Sequence, residues 1–380
     1  MIYETDTDLV LVYDGTYWIS TSPQRNLIIN GSMQVSQRYG TTGKSFGTGG
    51  GSFYYGTDRF ATMDYTWSAG SNLTVKQATP SGESISFPTG FNYAYKINTG
   101  ATALTLASGG QIWVRHAIEG SNIAPYYNKK LTLSFWVRSS VTGTYTVWFG
   151  NSEAVASTAR SLQLEYTINA ANTWEFKTLT LDMAQATAAG TWSSTNTAGL
   201  FIYWMLGANA NRSGDLNKNT WGEFTAYTFK SAAGVNWTST ANATFYLTGV
   251  QMSVGSVASP FEFKDYGRDL EECQRYYWML KGGVAYSLYA TGFARTTGAA
   301  DFVFHSPVEM RTRPTSVESN AQVMTIPGTG TVAITGISSG DGAALTVGGV
   351  YVTGSASSGQ HYFIGNNNDS NGYIAFSAEL

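Results

Sequence analysis

One cysteine, Cys273, stands in 380 residues, so the chain forms no internal disulfide and carries no cysteine cluster for a structural zinc. Charge is scarce too: Asp, Glu, Lys and Arg make up 12% of the residues, about half the usual share. With a formal net charge of −3 and no basic run longer than Lys129-Lys130, the chain lacks the electrostatic footprint a phosphate backbone selects, and nucleic acid is not an expected partner. No stretch of 18 apolar residues occurs, and Met1 to Ser20 carries four acidic residues and no basic segment. The expectation is a chain made in the cytoplasm with neither a signal peptide nor a membrane span. If it acts at a cell surface, it must leave by another route, and release by lysis within a virus particle would serve.

Aromatics, by contrast, reach 14%, with 24 Tyr and 11 Trp. Such side chains fit a pleated, half-buried surface and favour strands. Ile2, Leu9, Leu11 and Tyr13 recur at period two up to Asp14-Gly15, a pattern that predicts a small N-terminal hairpin within residues 1–25. From residue 26 to 264, strand patterns such as Leu131–Val137, Tyr145–Phe149, Phe176–Leu181 and Leu200–Trp204 alternate with Gly, Asn and Ser turns. Many short strands with polar turns predict an all-β fold, here a large two-sheet sandwich of the jelly-roll kind. Leu270, Cys273 and Tyr277 share one face at helical spacing behind a capping Asp265, which predicts a connector helix over residues 265–281. Residues 282–380, with Val332–Thr335 and Ala344–Val347, read as a second, smaller β-sandwich.

Chemical motifs are weak. Gly43-Lys44-Ser45 has the ending of a phosphate-binding loop, but Arg38 stands where its first glycine belongs, and Gly47–Ser52 follows where a helix is required; a surface loop is expected. His116, His305 and His361 lack metal-ligand spacing, and no cofactor or metal is expected. There is no Gly-x-Ser-x-Gly elbow, and Cys273 on an amphipathic face reads as a small buried hydrophobe. Catalytic residues are therefore not assigned. Two carboxylates meeting only in space would leave no local motif, so a glycan-cleaving enzyme stays open as the alternative.

Four parts of the chain carry a resemblance. Asn26-Leu27-Ile28-Ile29-Asn30-Gly31-Ser32-Met33-Gln34-Val35-Ser36-Gln37-Arg38 with Asp58-Arg59-Phe60, and Leu247–Met252 with Ser259-Pro260-Phe261-Glu262-Phe263 and Leu270–Tyr277, resemble the opening and close of carbohydrate-binding-module-like jelly rolls in phage and prophage tail proteins. Ile2–Trp18 resembles a short β-unit that joins receptor-binding parts of phage tail and fibre proteins to what precedes them, and Ile374–Leu380 resembles chain ends of that group. The resemblance implies a virion location, a receptor-binding role toward host-surface glycans, attachment to tail or baseplate proteins through Ile2, Tyr3, Leu9, Leu11, Tyr13 and Trp18, and a homotrimer, which a monomer mass in light scattering would contradict. A purely structural virion component is the other reading it allows.

Sugar rings lay their C–H faces on aromatic rings while amides and hydroxyls bond their edges. Aromatics in turn-rich segments are thus the candidate glycan contacts: Tyr54, Tyr55, Tyr126, Tyr127, Trp192 and Trp237, with Trp136, Trp148 and Trp204 assigned to the core. A second candidate set is His361, Tyr362, Asn366, Asn367, Asn368 and Asp369 near the C-terminus, the end opposite the attachment hairpin, so residues 282–380 are expected to be the receptor-binding tip and to carry recognition more than the jelly roll; acid and amide side chains there could alternatively hold Ca²⁺.

Overall fold

Along Lys130–Ser139, Leu131, Leu133, Phe135 and Val137 are fully buried, while Trp136 and Arg138 on the alternate positions keep solvent contact. This is the two-residue period of a strand with one face on a core. The computed structural model describes residues 2–4, 9–13, 18–20, 25–47, 49, 51–63, 67, 72–320, 322–326, 330–339 and 347–380. They fall into two units, Met1–Asp269 and Leu270–Leu380.

In the first unit, a six-stranded sheet runs in the order Glu175–Asp182, Lys130–Ser139, Thr244–Val254, Ala94–Thr99, Leu73–Ala78, Lys44–Phe46. A seven-stranded sheet runs Gly222–Glu223, Arg160–Ile168, Gly143–Gly150, Ala198–Ala208, Gln111–Glu119, Phe60–Met63, Phe53–Thr57. The winding follows from the pairings. Gly143–Gly150 pairs with Arg160–Ile168 in the seven-stranded sheet, and Lys130–Ser139 with Glu175–Asp182 in the six-stranded one. Gln111–Glu119 then pairs with Ala198–Ala208 back in the first, and Ala94–Thr99 with Thr244–Val254 in the second. A long antiparallel arm whose successive pairs alternate between two sheets is the winding of a jelly roll. Between the sheets, Trp204 lies 6.1 Å from the Phe60 ring and 5.8 Å from Phe135.

The residues that carry the sequence resemblance close this roll. The buried Asn26 side chain donates to Val250 O at 3.0 Å and accepts from the N–H groups of Ile28 and Met252, while its own N–H donates to Glu262 Oε2 at 2.7 Å. Gln251 Nε2 donates to Ser259 O and Pro260 O, and Gln251 Oε1 accepts from Glu262 N. Gln34 Nε2 reaches Asp269 Oδ2 at 2.6 Å and Lys264 O at 3.1 Å. The first and last segments of the unit are thus latched by buried polar groups that satisfy one another.

Three expectations are corrected. The N-terminal hairpin gains a third strand: Leu9–Tyr13 pairs with both Ile2–Glu4 and Trp18–Ser20, and the Asp14-Gly15 turn lies outside the described residues. The helix covers only Tyr266–Gln274, begun by Asp265 Oδ1 accepting from Arg268 N at 3.1 Å. Tyr277–Lys281, expected as its last turn, is a strand paired with Tyr373–Ser377, where the rings of Trp278 and Phe376 stack at 4.7 Å; this long-range ladder overrides the local helical spacing. Finally, the smaller domain is no second sandwich. Leu288–Thr296, Ala299–His305, Val347–Gly354, Gly330–Ser339, Gln322–Ile326 and His361–Asn366 close into a six-stranded barrel, beside the sheet of Tyr277–Lys281, Tyr373–Ser377 and Ser316–Asn320. Closure removes the edges that an open sheet would leave unpaired. Val332–Thr335 lies in a barrel strand as expected; residues 344–346 of the other expected run are outside the described residues.

Candidate functional site

The aromatics nominated from the sequence mostly serve packing. Trp237 is 0% exposed and donates its indole N–H to Thr244 O, so it has no free face. Tyr55 is buried with the Arg38 guanidinium 4.1 Å above its ring, and Tyr54 stacks on Phe46 at 4.0 Å. Tyr126, Tyr127 and Trp192 pack partly buried against the core. The Tyr127 hydroxyl, pushed up to about 12 by burial, donates to Ser193 O, and Trp192 meets the edges of Tyr127 and Trp221. In the second unit, the C-terminal set is divided rather than gathered. Tyr362 and Asn366 are buried, Asn366 donating to Val284 O and Asp369 O. His361 leans on Phe293 at one end of His361–Asn366, and Asn367, Asn368 and Asp369 follow the other end, about 17 Å away along an extended strand. Asp369 Oδ1 accepts from Asn371 N, as in an Asx turn. Tyr13 is exposed, whereas the side chains of Ile2, Tyr3, Leu9, Leu11 and Trp18 lie outside the described residues. Lys44-Ser45-Phe46 is a strand paired to Leu73–Val75, so no helix follows Gly43; Gly47–Ser52 includes residues 48 and 50, outside the described residues.

What the structure does assemble is an aromatic strip on the outer face of the six-stranded sheet. Trp136 stands directly across from Phe176, their rings 5.3 Å apart. On the other side of Trp136, Phe91, Phe261 and Phe263 form a trio with centroids 4.9 to 5.1 Å apart. Phe176 is 41% exposed and Phe263 57%. Gly249 joins the two groups. It occupies a bulge, where the register of Lys130–Ser139 with Thr244–Val254 shifts between Ser134 and Trp136, and its φ of +59° suits glycine. A Cβ there would stand 2.7 Å from Phe91 Cζ and 3.0 Å from Trp136 Cδ1, so the missing side chain is the space the rings share.

Beside the strip, on the same face, lies a knot of charge. Tyr246 is the cross-strand neighbour of Arg138 and of Lys96, whose cationic groups sit 5.3 and 5.4 Å from its ring. Glu83 receives Lys76 at 2.6 Å, Lys96 at 2.5 Å and the Tyr246 hydroxyl at 2.9 Å. Burial pushes its carboxyl up, and these bonds outweigh burial and hold it below the ordinary carboxylate range. Trp174, its indole N–H on Ser86 O, closes the row against Tyr246 and Phe87. The face therefore offers the exposed rings of Phe176 and Phe263 and the half-buried ring of Trp136, with Arg138 and the Lys96–Glu83 pair alongside, while Phe91 and Tyr246 are buried and the Tyr246 hydroxyl is committed to Glu83. Among the described residues no three His, Cys, Asp or Glu side chains are grouped to hold a metal ion, and no helix is long and apolar enough to cross a membrane.

No protein-family model and no curated protein matches the chain. Solved structures similar to it include the xylan-binding CBM22-2 domain of Paenibacillus barcinonensis Xyn10C, at 11% identity and a TM-score of 0.28, covering 52% of this chain and 92% of that one. A family 11 carbohydrate-binding module of Clostridium thermocellum follows at 10% identity and 0.27, covering 55% and 96%. The enzymatically active domain of tailspike protein 4 of bacteriophage CBA120 gives 10% and 0.29, covering 60% of this chain and 21% of that one. At these values the likenesses carry no argument, and the reading that follows stands on the residues of this chain.

Proposed function

We propose that this chain is a glycan-binding adhesin of a phage tail or fibre, which holds the particle to host-surface polysaccharide without cleaving it. The observation that carries the reading is the strip in which the exposed rings of Phe263 and Phe176 and the half-buried Trp136 are set over the buried Phe91, with Arg138 and the Lys96–Glu83 pair alongside. A sugar chain has apolar C–H faces and hydroxyl edges, so it stacks on the rings while its edges meet the polar groups beside them. A patch of this kind on a sheet face is otherwise a liability in water. The sequence resemblance to phage tail proteins supports the virion setting, the attachment role of the N-terminal strands and trimeric assembly; three weak sites on one fibre would act together through avidity. Recognition in this reading belongs to the jelly roll rather than to the C-terminal residues around His361 and Asn366–Asp369, which the strand separates.

Incubating the purified full chain with bacterial surface polysaccharides, while assaying both retention and new reducing ends, tests the proposal. Retention without new ends is expected. New reducing ends would replace the adhesin with a depolymerase, and neither would leave a structural component.

A further inference from the structure

The outer face of the seven-stranded sheet carries a different chemistry. Trp113 and Arg115 project from Gln111–Glu119 beside Phe201 and Tyr203 of the neighbouring Ala198–Ala208, with Arg115 directly across from Tyr203. Arg115 is only 4% exposed, and its guanidinium lies between two rings, 4.9 Å from Phe53 and 5.0 Å from Phe201. Glu153, from the connection between Gly143–Gly150 and Arg160–Ile168, meets it as a two-point pair: Nε to Oε1 at 2.9 Å and Nη2 to Oε2 at 3.1 Å. The Tyr203 hydroxyl donates to the same carboxylate. Next to them, Trp113 stacks on Tyr203 at 4.7 Å, and its buried indole N–H has no acceptor among the described residues.

Every polar group that the two strands contribute to this cluster is therefore a donor: a guanidinium, a phenol and an unpaired indole N–H. The acceptor facing them comes from a turn, and its side chain is 38% exposed against 5% for that of Arg115. A buried guanidinium binds a planar carboxylate bidentately and strongly, because the surroundings screen little. Glu153, on a connection and partly exposed, can turn out to solvent when a ligand carboxylate takes its place, because the buried guanidinium then stays paired. We infer that this cluster is a binding site for the carboxylate of an acidic sugar, and that Glu153 occupies it when no ligand is present. Phe53, which holds one side of the ion and keeps partial solvent contact, gives the site an apolar rim for a ring that bears its carboxylate directly, which an acidic peptide side chain does not have. The inference rests on the glycan-binding reading but uses the sheet opposite the aromatic strip.

The test uses the full chain, with galacturonate oligomers, their methyl esters and poly-glutamate as calorimetric probes and circular dichroism as the check on folding. Glu153→Gln removes the resident anion; it is expected to bind the galacturonate oligomers about tenfold tighter than the parent does, and about tenfold tighter than it binds their esters. Removing both charges in Arg115→Met/Glu153→Gln avoids leaving a buried unpaired cation and is expected to abolish the preference for acid over ester. Equal binding of acid and ester by Glu153→Gln, no binding of either, or a preference that survives in the double variant overturns the site. Tighter binding of poly-glutamate than of galacturonate overturns the sugar class. A neutral polysaccharide measured in parallel reports on the strip alone, so failure of the adhesin reading and failure of this one give different results.

Discussion

Lowering the pH below 6.5 is expected to destabilise the first unit through a single buried residue, His116. Its ring lies on the core side of Gln111–Glu119, 1% exposed and 4.8 Å from the Phe60 ring. Burial, and then the charge of Arg59, hold its pKa well below the ordinary 6.5. The unfolded chain takes up a proton near 6.5 and the folded chain does not. Stability from this group is therefore complete above 6.5 and falls below it by about 1.4 kcal/mol per pH unit, until the folded-state pKa is reached. The Glu83 carboxyl, held below 4.5, acts only in a lower window. Urea midpoints at pH 7, 6 and 5 check this. The parent is expected to lose stability across that range and His116→Gln to lose none of this part; a flat parent, or the same slope in both proteins, would contradict it.

Asn30→Ala is expected to cost about 3 kcal/mol, a large effect for one substitution. The Asn30 side chain is fully buried, donates to Val35 O and Asp58 O at 2.9 Å each, and accepts from Val35 N at 3.0 Å. Alanine leaves Asp58 O and Val35 N without this partner, at about 1 kcal/mol or more each, while Val35 O keeps the Asp58 N–H at 3.0 Å. It also places a residue with a Cβ, and no amide to compensate, at a φ of +59°. Asn30→Gly relieves the backbone but not the lost bonds, so it should recover about 1 kcal/mol of the loss. Equal unfolding midpoints for parent and Asn30→Ala would show that the opening segment is not locked as described.

Much of the fold was legible because strands alternate. Leu131, Leu133, Phe135 and Val137 announce the inward face of their strand, and the same count places Trp136 outward in phase with Thr132, Ser134 and Arg138. Phe176 likewise shares its phase with Thr178 and Thr180, opposite Leu179 and Leu181. The strip was therefore written in the sequence, and assigning Trp136 to the core weighed its residue type above its phase. Trp148 shows the limit of counting. It faces outward in that phase yet is covered by Phe224 and Phe229 from residues 209–236, which only tertiary structure reveals. The partners of Asn26 other than Ile28 stand more than 220 residues away, and barrel closure depends on pairings as distant as Leu288 with Gly365, so neither leaves a local trace. Trp237 misled for a related reason: its polar, turn-like surroundings look solvent-facing, while a short helical turn, Trp237–Ser239, carries the indole into the core. His361 and Asn366–Asp369 looked like one cluster only because nearness in sequence stood in for nearness in space.

The central claim is that the outer face of the six-stranded sheet binds glycan through its rings. The most direct measurement compares retention on bacterial surface polysaccharide of the parent with that of Trp136→Ala/Phe176→Ala, two substitutions on the solvent side of the sheet that leave Leu131, Leu133, Phe135 and Val137 in place. The loss of two stacking rings predicts about 3 kcal/mol, hence affinity lower by about 100-fold, with the unfolding transition retained. A folded double variant that binds within about twofold of the parent would contradict the claim.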